Sequence, residues 1–206
     1  MSLAGRFGTM LCVLAAGCAT TPPARLYMLS ASSSTSETTL DVSVSVGPVS
    51  IPAAVDRPQI VVTTAANQVR LDDFNRWSSP LQENLSSVIA ENLAALLGSS
   101  RVTRFPKTSS ADADFRVAIE VTRFESVPGQ WATLDAAWTV RRTADGVVQT
   151  HRTSVREAVV PDNSFEALAA AHSRAAARLS QGIAEAVRAL QGMSVDTVQS
   201  TSDMRM

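Results

Sequence analysis

The sequence is short of cysteine and histidine. Its two cysteines are Cys12, inside an apolar leader, and Cys18, at the end of it. Removing the leader leaves one cysteine, which excludes an intramolecular disulfide. The two histidines, His151 and His172, have no Cys, His or carboxylate at metal-ligand spacing, so no metal site is expected. A Gly-x-Ser-x-Gly elbow, a phosphate-binding glycine loop and a dinucleotide glycine run are all missing. The chain is therefore not expected to be an enzyme, to hold a cofactor or to bind ATP. Asp72-Asp73 reads as a turn, and Asp112 and Asp114 as solubilising residues at a strand start. An excess of charge is missing too: 18 basic residues against 19 acidic give a net charge of −1. Without the leader's Arg6 the balance is 17 against 19, or −2. A near-neutral chain has no electrostatic case for nucleic acid. Beyond the leader, no apolar run approaches the roughly 20 residues that span a bilayer.

What is present begins with an address. Arg6 precedes an uncharged stretch from Phe7 to Ala16, and the small residues Ala15, Ala16 and Gly17 stand directly before Cys18. A charged start, a short apolar core and small residues at a cut site make residues 1–17 a secretory signal peptide. The end of the leader resembles the bacterial lipobox, in which the cysteine thiol is acylated and the freed amine takes a further chain. The leucine usual three places before the cysteine is Ala15 here, with Leu14 one place further back. An ordinary cut nearby is the alternative. Two or more acyl chains hold a protein on a membrane where one does so only marginally. Cys18 is thus expected as a lipid anchor, its covalent lipid the one attached group. Residues 18–24, with Thr20-Thr21-Pro22-Pro23, form a stiff tether. Residue 19 is Ala rather than Asp. By resemblance to enterobacterial sorting, that favours the outer membrane, with the chain facing the periplasm.

The 206 residues, 45% hydrophobic and 18% charged, support one domain with a real core, placed at residues 25–190. Arg25–Leu29 is a short strand, and Ser30–Thr39 a Ser/Thr loop. Leu40–Val46 alternates with period two and is a half-buried strand that Gly47-Pro48 ends. Prolines 48, 52 and 58 deny the next stretch a helix. Gln59–Thr64 is a strand and Val69–Leu71 a short one after an Ala66-Asn67 turn. A helix opens at Pro80 with Ser79 as its N-cap and stops at Gly98. Its face of Leu81, Leu85, Val88, Ile89, Leu93, Leu96 and Leu97 reads as packing on a sheet, because the opposite face lacks the Lys/Arg band of a membrane-surface helix. Arg101–Phe105, Phe115–Phe124, Trp131–Arg142 and Gly146–Val160 are strands, the last two a hairpin around Ala144-Asp145-Gly146. Three consecutive antiparallel strands follow from that order. A last helix begins at Ser164, with Phe165, Leu168, His172, Ala176, Leu179, Ile183, Val187 and Leu190 on one face. That face lies on the chain's own sheet or forms a coiled-coil seam with a partner. Residues 191–206 are expected as a disordered polar tail. The fold class is α+β: a mainly antiparallel sheet with two amphipathic helices on it.

Three segments carry a family likeness. Gly47-Pro48-Val49, Pro52 and Asp56-Arg57-Pro58-Gln59-Ile60 are followed by Arg76-Trp77 and Pro80-Leu81. This pattern resembles the ABC-type transport auxiliary lipoproteins of the PqiC-like kind, over residues 25–190. Where the family often has Tyr-Leu before the Asp, this chain has Ala54-Val55. Between Trp and Pro it has Ser78-Ser79 where Ala-Glu is common. The resemblance implies an auxiliary subunit of an ABC-type system with an MCE-domain protein, moving lipids between membranes and supporting envelope integrity. A lipid carrier that encloses an acyl chain itself and a structural envelope lipoprotein are the rival roles. Assembly with further copies of the chain stays open. Asp56, Arg57, Gln59 and Trp77 are the candidate partner contacts. An architectural role is also open to them: Arg57 pairing with Asp56 or capping a helix end, and Trp77 covering the core where strand passes to helix.

Overall fold

Period-two alternation in the second half of the chain becomes a regular antiparallel meander. The computed structural model describes residues 22–32, 39–106 and 112–203, with side chains to Met193; the signal segment, Cys18 and the first part of the tether lie outside the described residues. Strands β6 (Phe115–Val127), β7 (Trp131–Arg142) and β8 (Val148–Ala158) pair in sequence, as the alternation predicts. The β7–β8 turn falls on Ala144-Asp145-Gly146 as expected. Gly146 there adopts φ +74°, and the Arg142 guanidinium grips the Asp145 carboxylate at 2.5 Å. One β-bulge between Val121 and Arg123, opposite Asp135, switches the inward parity of β6. Before it Phe115, Val117, Ile119 and Val121 are buried; after it Phe124 and Ser126 are.

Strand β2 (Val44–Ser50) lies parallel to both β6 and β5 (Val102–Arg104), completing a five-stranded sheet of order β5-β2-β6-β7-β8. β2 does not stop at Gly47-Pro48, as the sequence reading had it. It runs on to Ser50 through an irregularity between Val46 and Val49, because Gly47 takes φ +127° and so carries the strand past its proline. A separate three-stranded sheet has order β1-β4-β3, with β1 (Arg25–Tyr27) parallel to β4 (Gln68–Trp77) and β3 (Gln59–Ala65) antiparallel to it. β3 lies alongside β6, its Thr63 hydroxyl donating to Glu125 at 3.5 Å. Most paired residues lie in the antiparallel ladders β3–β4, β6–β7 and β7–β8, in keeping with the expected, mainly antiparallel sheet, and β1, β2 and β5 add shorter parallel pairs. The parallel pairs need long connections: β1 reaches β4 by way of β2 and β3, and β2 reaches β5 and β6 by way of β3, β4 and α1.

Both helices pack on the sheet, in keeping with the α+β reading. α1 (Leu81–Leu97) lies against β2 and β5 and buries Leu81, Leu85, Val88, Ile89, Leu93 and Leu97. Each fully buried leucine contributes about 1.5–3 kcal/mol of transfer free energy. Ser79 does not cap this helix. Pro80, with ψ 127°, occupies the cap position, and its carbonyl accepts from the Asn84 amide. Gly98 ends it in the left-handed conformation with φ 62°, while the Ser99 amide returns to the Ala94 carbonyl. α2 (Phe165–Asp203) starts as expected: the Ser164 hydroxyl accepts from the Ala167 amide at 3.0 Å. Its predicted face is buried against β6, β7, β8 and α1, so that face is core rather than a seam for a partner. The small residues Ala169, Ala171, Ala175 and Ala176 allow this close approach. The helix also continues to Asp203, through most of the stretch expected as a disordered tail.

Candidate functional site

The chain brings its sequence-distant motif segments to one end of the molecule. In the β3–β4 ladder Gln59 stands opposite Arg76, and the Trp77 amide donates to the Pro58 carbonyl at 2.7 Å. Asp56-Arg57-Pro58-Gln59 is thereby laced to Arg76-Trp77. The Gln82 side chain, in the first turn of α1, donates to the Val49 carbonyl at 2.7 Å and ties Pro80-Leu81 to Gly47-Pro48-Val49. Between the β2 and β4 segments the proline-rich stretch turns on itself, with the amides of Val55 and Asp56 both reaching the Pro52 carbonyl and the Arg57 amide the Val55 carbonyl.

The four candidate residues then part company. Asp56 and Arg57 are exposed, Gln59 is half-buried, and Trp77 is only 6% exposed. Among the described residues Arg57 forms no ion pair with Asp56 and caps no helix, so neither architectural role applies to it. Trp77 does cover the core at the strand-to-helix junction. Its ring meets Phe124 and His172 edge-on, with centroids 6.3 and 6.5 Å away. Phe124 and His172 stack on each other at 3.9 Å. A side chain so placed belongs to the core beneath the exposed loop, to which its backbone amide is bonded at Pro58. Burial pushes the His172 imidazole down to about 3, so the ring is neutral, with Nε2 hydrogen-bonded to the Ser126 hydroxyl at 2.8 Å.

Beside the motif cluster an open groove of about 490 Å³ is lined by Pro48, Val49, Gln82, Glu83, Arg104 and Phe105. Phe105 is 53% exposed at its rim, and the Arg104 guanidinium is steadied by the Ser87 hydroxyl at 2.7 Å. Sequence reasoning missed this groove. Its signal was faint: a phenylalanine before a proline, just past a short strand. Gly47 explains how the groove wall forms. The Phe105 amide donates to the Val46 carbonyl, and a Cβ on Gly47 would stand 3.2 Å from the Phe105 Cβ.

Asp72 organises the other side of the junction. Burial alone would raise its pKa, but hydrogen bonds from Asn75, Arg70 and the Phe74 amide outweigh that and hold the carboxyl below its ordinary value. One carboxylate oxygen accepts from the Phe74 and Asn75 amides and the Asn75 side chain, at 3.2, 2.9 and 2.8 Å. Asp72-Asp73 is thus a turn-like irregularity inside β4, which is why the strand is longer than the Val69–Leu71 segment legible from alternation. Among the described residues no group of three His, Cys, Asp or Glu side chains is placed to hold a metal ion. The arrangement offers an exposed cation and anion, an aromatic rim and a rigid floor, which together suit binding.

Comparison with known proteins places the chain. The family model described as the ABC-type transport auxiliary lipoprotein component matches residues 27–184. Among solved structures, a DUF330-family protein from Xanthomonas campestris superposes with a TM-score of 0.69 at 17% identity, covering 84% of this chain and 99% of its own. A second, described only as an uncharacterized protein, gives a TM-score of 0.66 at 17% identity, covering 81% and 99%. At that identity these two establish a shared fold. No curated protein matches the sequence significantly. The match over residues 27–184 spans the packing face of α1, most of that of α2 and every motif segment that the structure gathers at one end: the chain belongs to the family of ABC-type transport auxiliary lipoproteins.

Proposed function

We propose that this chain is the lipid-anchored auxiliary subunit of an MCE/ABC-type lipid transport system. It is held at the outer membrane through acylated Cys18 and docks an MCE-domain protein across the periplasm, in support of envelope integrity. ATP is bound and hydrolysed elsewhere in the system. The observation that carries this reading is the exposed Arg57, without an ion pair among the described residues, beside Asp56 on a loop laced to buried Trp77, with the Phe105 groove adjoining. Exposed Arg and aromatic groups on a rigid base are the usual anchors of an interface. The carrier reading has less support. The apolar faces of α1 and α2 are filled by the sheets and each other, with Leu85, Ile89, Leu93, Leu168, Leu179 and Ile183 all buried, and the described grooves are open to the surface.

The test is crosslinking in intact envelopes followed by affinity recovery and mass spectrometry of proteins and lipids. The expected outcome is an MCE-domain protein whose recovery falls about tenfold in Arg57→Glu, the loss of one good interface contact. Stoichiometric phospholipid without such a protein would move the reading to the carrier.

A further inference from the structure

Strand β1 and the irregular part of β4 form the outward edge of the three-stranded sheet, and the chain enters the fold there. Leu26 stands opposite Arg76 in the β1–β4 ladder, while Tyr27 opposite Trp77 faces the core. Alternation therefore sends Leu26 and Met28 outward, and they are 64% and 61% exposed. Phe74, lifted out of β4 by the Asp72 turn, is 42% exposed on the same side. Large apolar side chains grouped this way on a soluble surface mark a contact. Pro22, Pro23, Ala24 and Arg25 line a cleft of about 340 Å³ together with Phe74 and Asn75, so the tether runs directly onto this patch.

Chain length identifies the occupant. Four residue steps separate Cys18 from Pro22, and a fully extended chain covers at most about 14 Å in four steps. That is comparable with the depth of one headgroup layer plus a single side chain, since headgroups add roughly 5–8 Å on each side of the hydrocarbon. A fold held on so short a leash turns the patch at its root toward the bilayer. Arg25 is exposed beside Leu26. Arg76 lies across the ladder from Leu26, its Nε donating to the Asp73 carbonyl. Two cations at the edge of an apolar patch suit the headgroup boundary of a membrane with anionic lipid; Asp73 is exposed nearby, and Asp72 is paired with Arg70.

We propose that Leu26, Met28 and Phe74, flanked by Arg25 and Arg76, form a membrane-contact face that seats the domain on the lipid bilayer in a fixed orientation. This rests on Cys18 being acylated, and the experiment separates the two claims. Met28→Cys and, as a control, Val148→Cys on the edge strand of the other sheet are purified from membranes as the processed protein. Thioether-linked Cys18 is blocked, so a fluorophore labels only the new thiol. Mass spectrometry of the N-terminal peptide comes first, and absence of acyl mass there overturns both claims. The acylated proteins then enter vesicles of phosphatidylethanolamine and phosphatidylglycerol carrying nitroxide-labelled lipid. The expected result is quenching about threefold stronger at position 28 than at 148, as for a side chain within the headgroup–acyl boundary. Adding Leu26→Asp and Phe74→Asp should bring position 28 to the control level with acyl mass and circular dichroism unchanged. Equal quenching at both positions with the acyl mass present overturns the face alone. So does shielding of position 28 that follows protein density rather than lipid, the mark of a second copy on the patch.

Discussion

In the five-stranded sheet, β7 pairs with β8 one to one from Trp131 to Arg141, and its inward side chains follow strict alternation. In the three-stranded sheet, β4 passes Asp72, Asp73, Phe74 and Asn75 opposite the single residue Ile60 of β3. The first region is specified by apolar periodicity. Many residues share the task, and each side chain is replaceable by another of similar volume. The second is specified by one carboxylate that satisfies four donors, three of them on a single oxygen. It spends regularity to leave both Leu71 and Phe74 exposed while Trp77 stays inward, and alternation alone cannot give one face to Leu71 and Phe74, three residues apart. Regular sheet makes a floor, and the irregular sheet sets surface groups upon it.

That contrast can be broken most sharply at Asp72. Asp72→Ala leaves the Phe74 and Asn75 amides and the Asn75 side chain without their acceptor, a loss of about 2–3 kcal/mol. Thr139→Ala, in the regular meander, should stay within about 0.5 kcal/mol. Urea denaturation of both variants checks the difference. An equal loss at the two sites would show that the irregularity has no special dependence on its carboxylate.

A second, somewhat smaller effect is read in acid. His172 is neutral in the fold with a pKa lowered to about 3, whereas the unfolded chain's imidazole titrates near 6.5. A depressed histidine makes the unfolded state bind more protons between those values, so the stability is present above about pH 6.5 and lost as pH falls toward 3. Between pH 6.5 and 5 the loss is about 2 kcal/mol, at about 1.4 per pH unit. His172→Phe, which keeps the stack on Phe124, should flatten the thermal-midpoint curve over that window. A curve as steep as that of the parent would assign the acid sensitivity to other groups.

The smallest effects set a glycine at a strand irregularity against one in a regular helix. Gly47, with φ +127° and Phe105 close by, should lose about 1–2 kcal/mol as Gly47→Ala, because an L side chain is strained there. Gly182 lies within α2, where an added Cβ would sit at an ordinary 3.5 Å from the Trp138 ring. Gly182→Ala should therefore gain about 0.5–1 kcal/mol by helix propensity. Paired thermal melts decide the sign of each.

Legibility in the sequence followed the same divide. Trp131–Arg142 was readable to the residue because every second side chain is apolar, and the α1 and α2 faces because leucines and alanines recur at three and four. β4 was readable only at Val69–Leu71, since Asp72 resets the parity beyond it. The end of β2 was misplaced because Gly47-Pro48 breaks strands as a rule and here only bends one. Ser79 was a reasonable cap on residue type alone, but Pro80 already holds the extended cap conformation and displaces it. At the candidate site, the motif residues announced themselves by spacing, yet spacing could not separate buried Trp77 from exposed Arg57. Phe105 and Phe74 had no periodic signal, because loops and irregularities position them.

The last of the described elements is also the one that closes the core. α2 covers β6, β7 and β8 and reaches α1 and β1, while β1 and β2 must find partners in β4 and β6 far along the chain. Until residues beyond about 165 are available, the sheet's apolar face stays open, and no early segment can complete itself alone. For a chain delivered N-terminus first through a membrane, as proposed here, this order delays completion of the core until α2 has crossed. Such an architecture keeps an exported chain threadable, and the helix that seals the domain then works as a timer on that export.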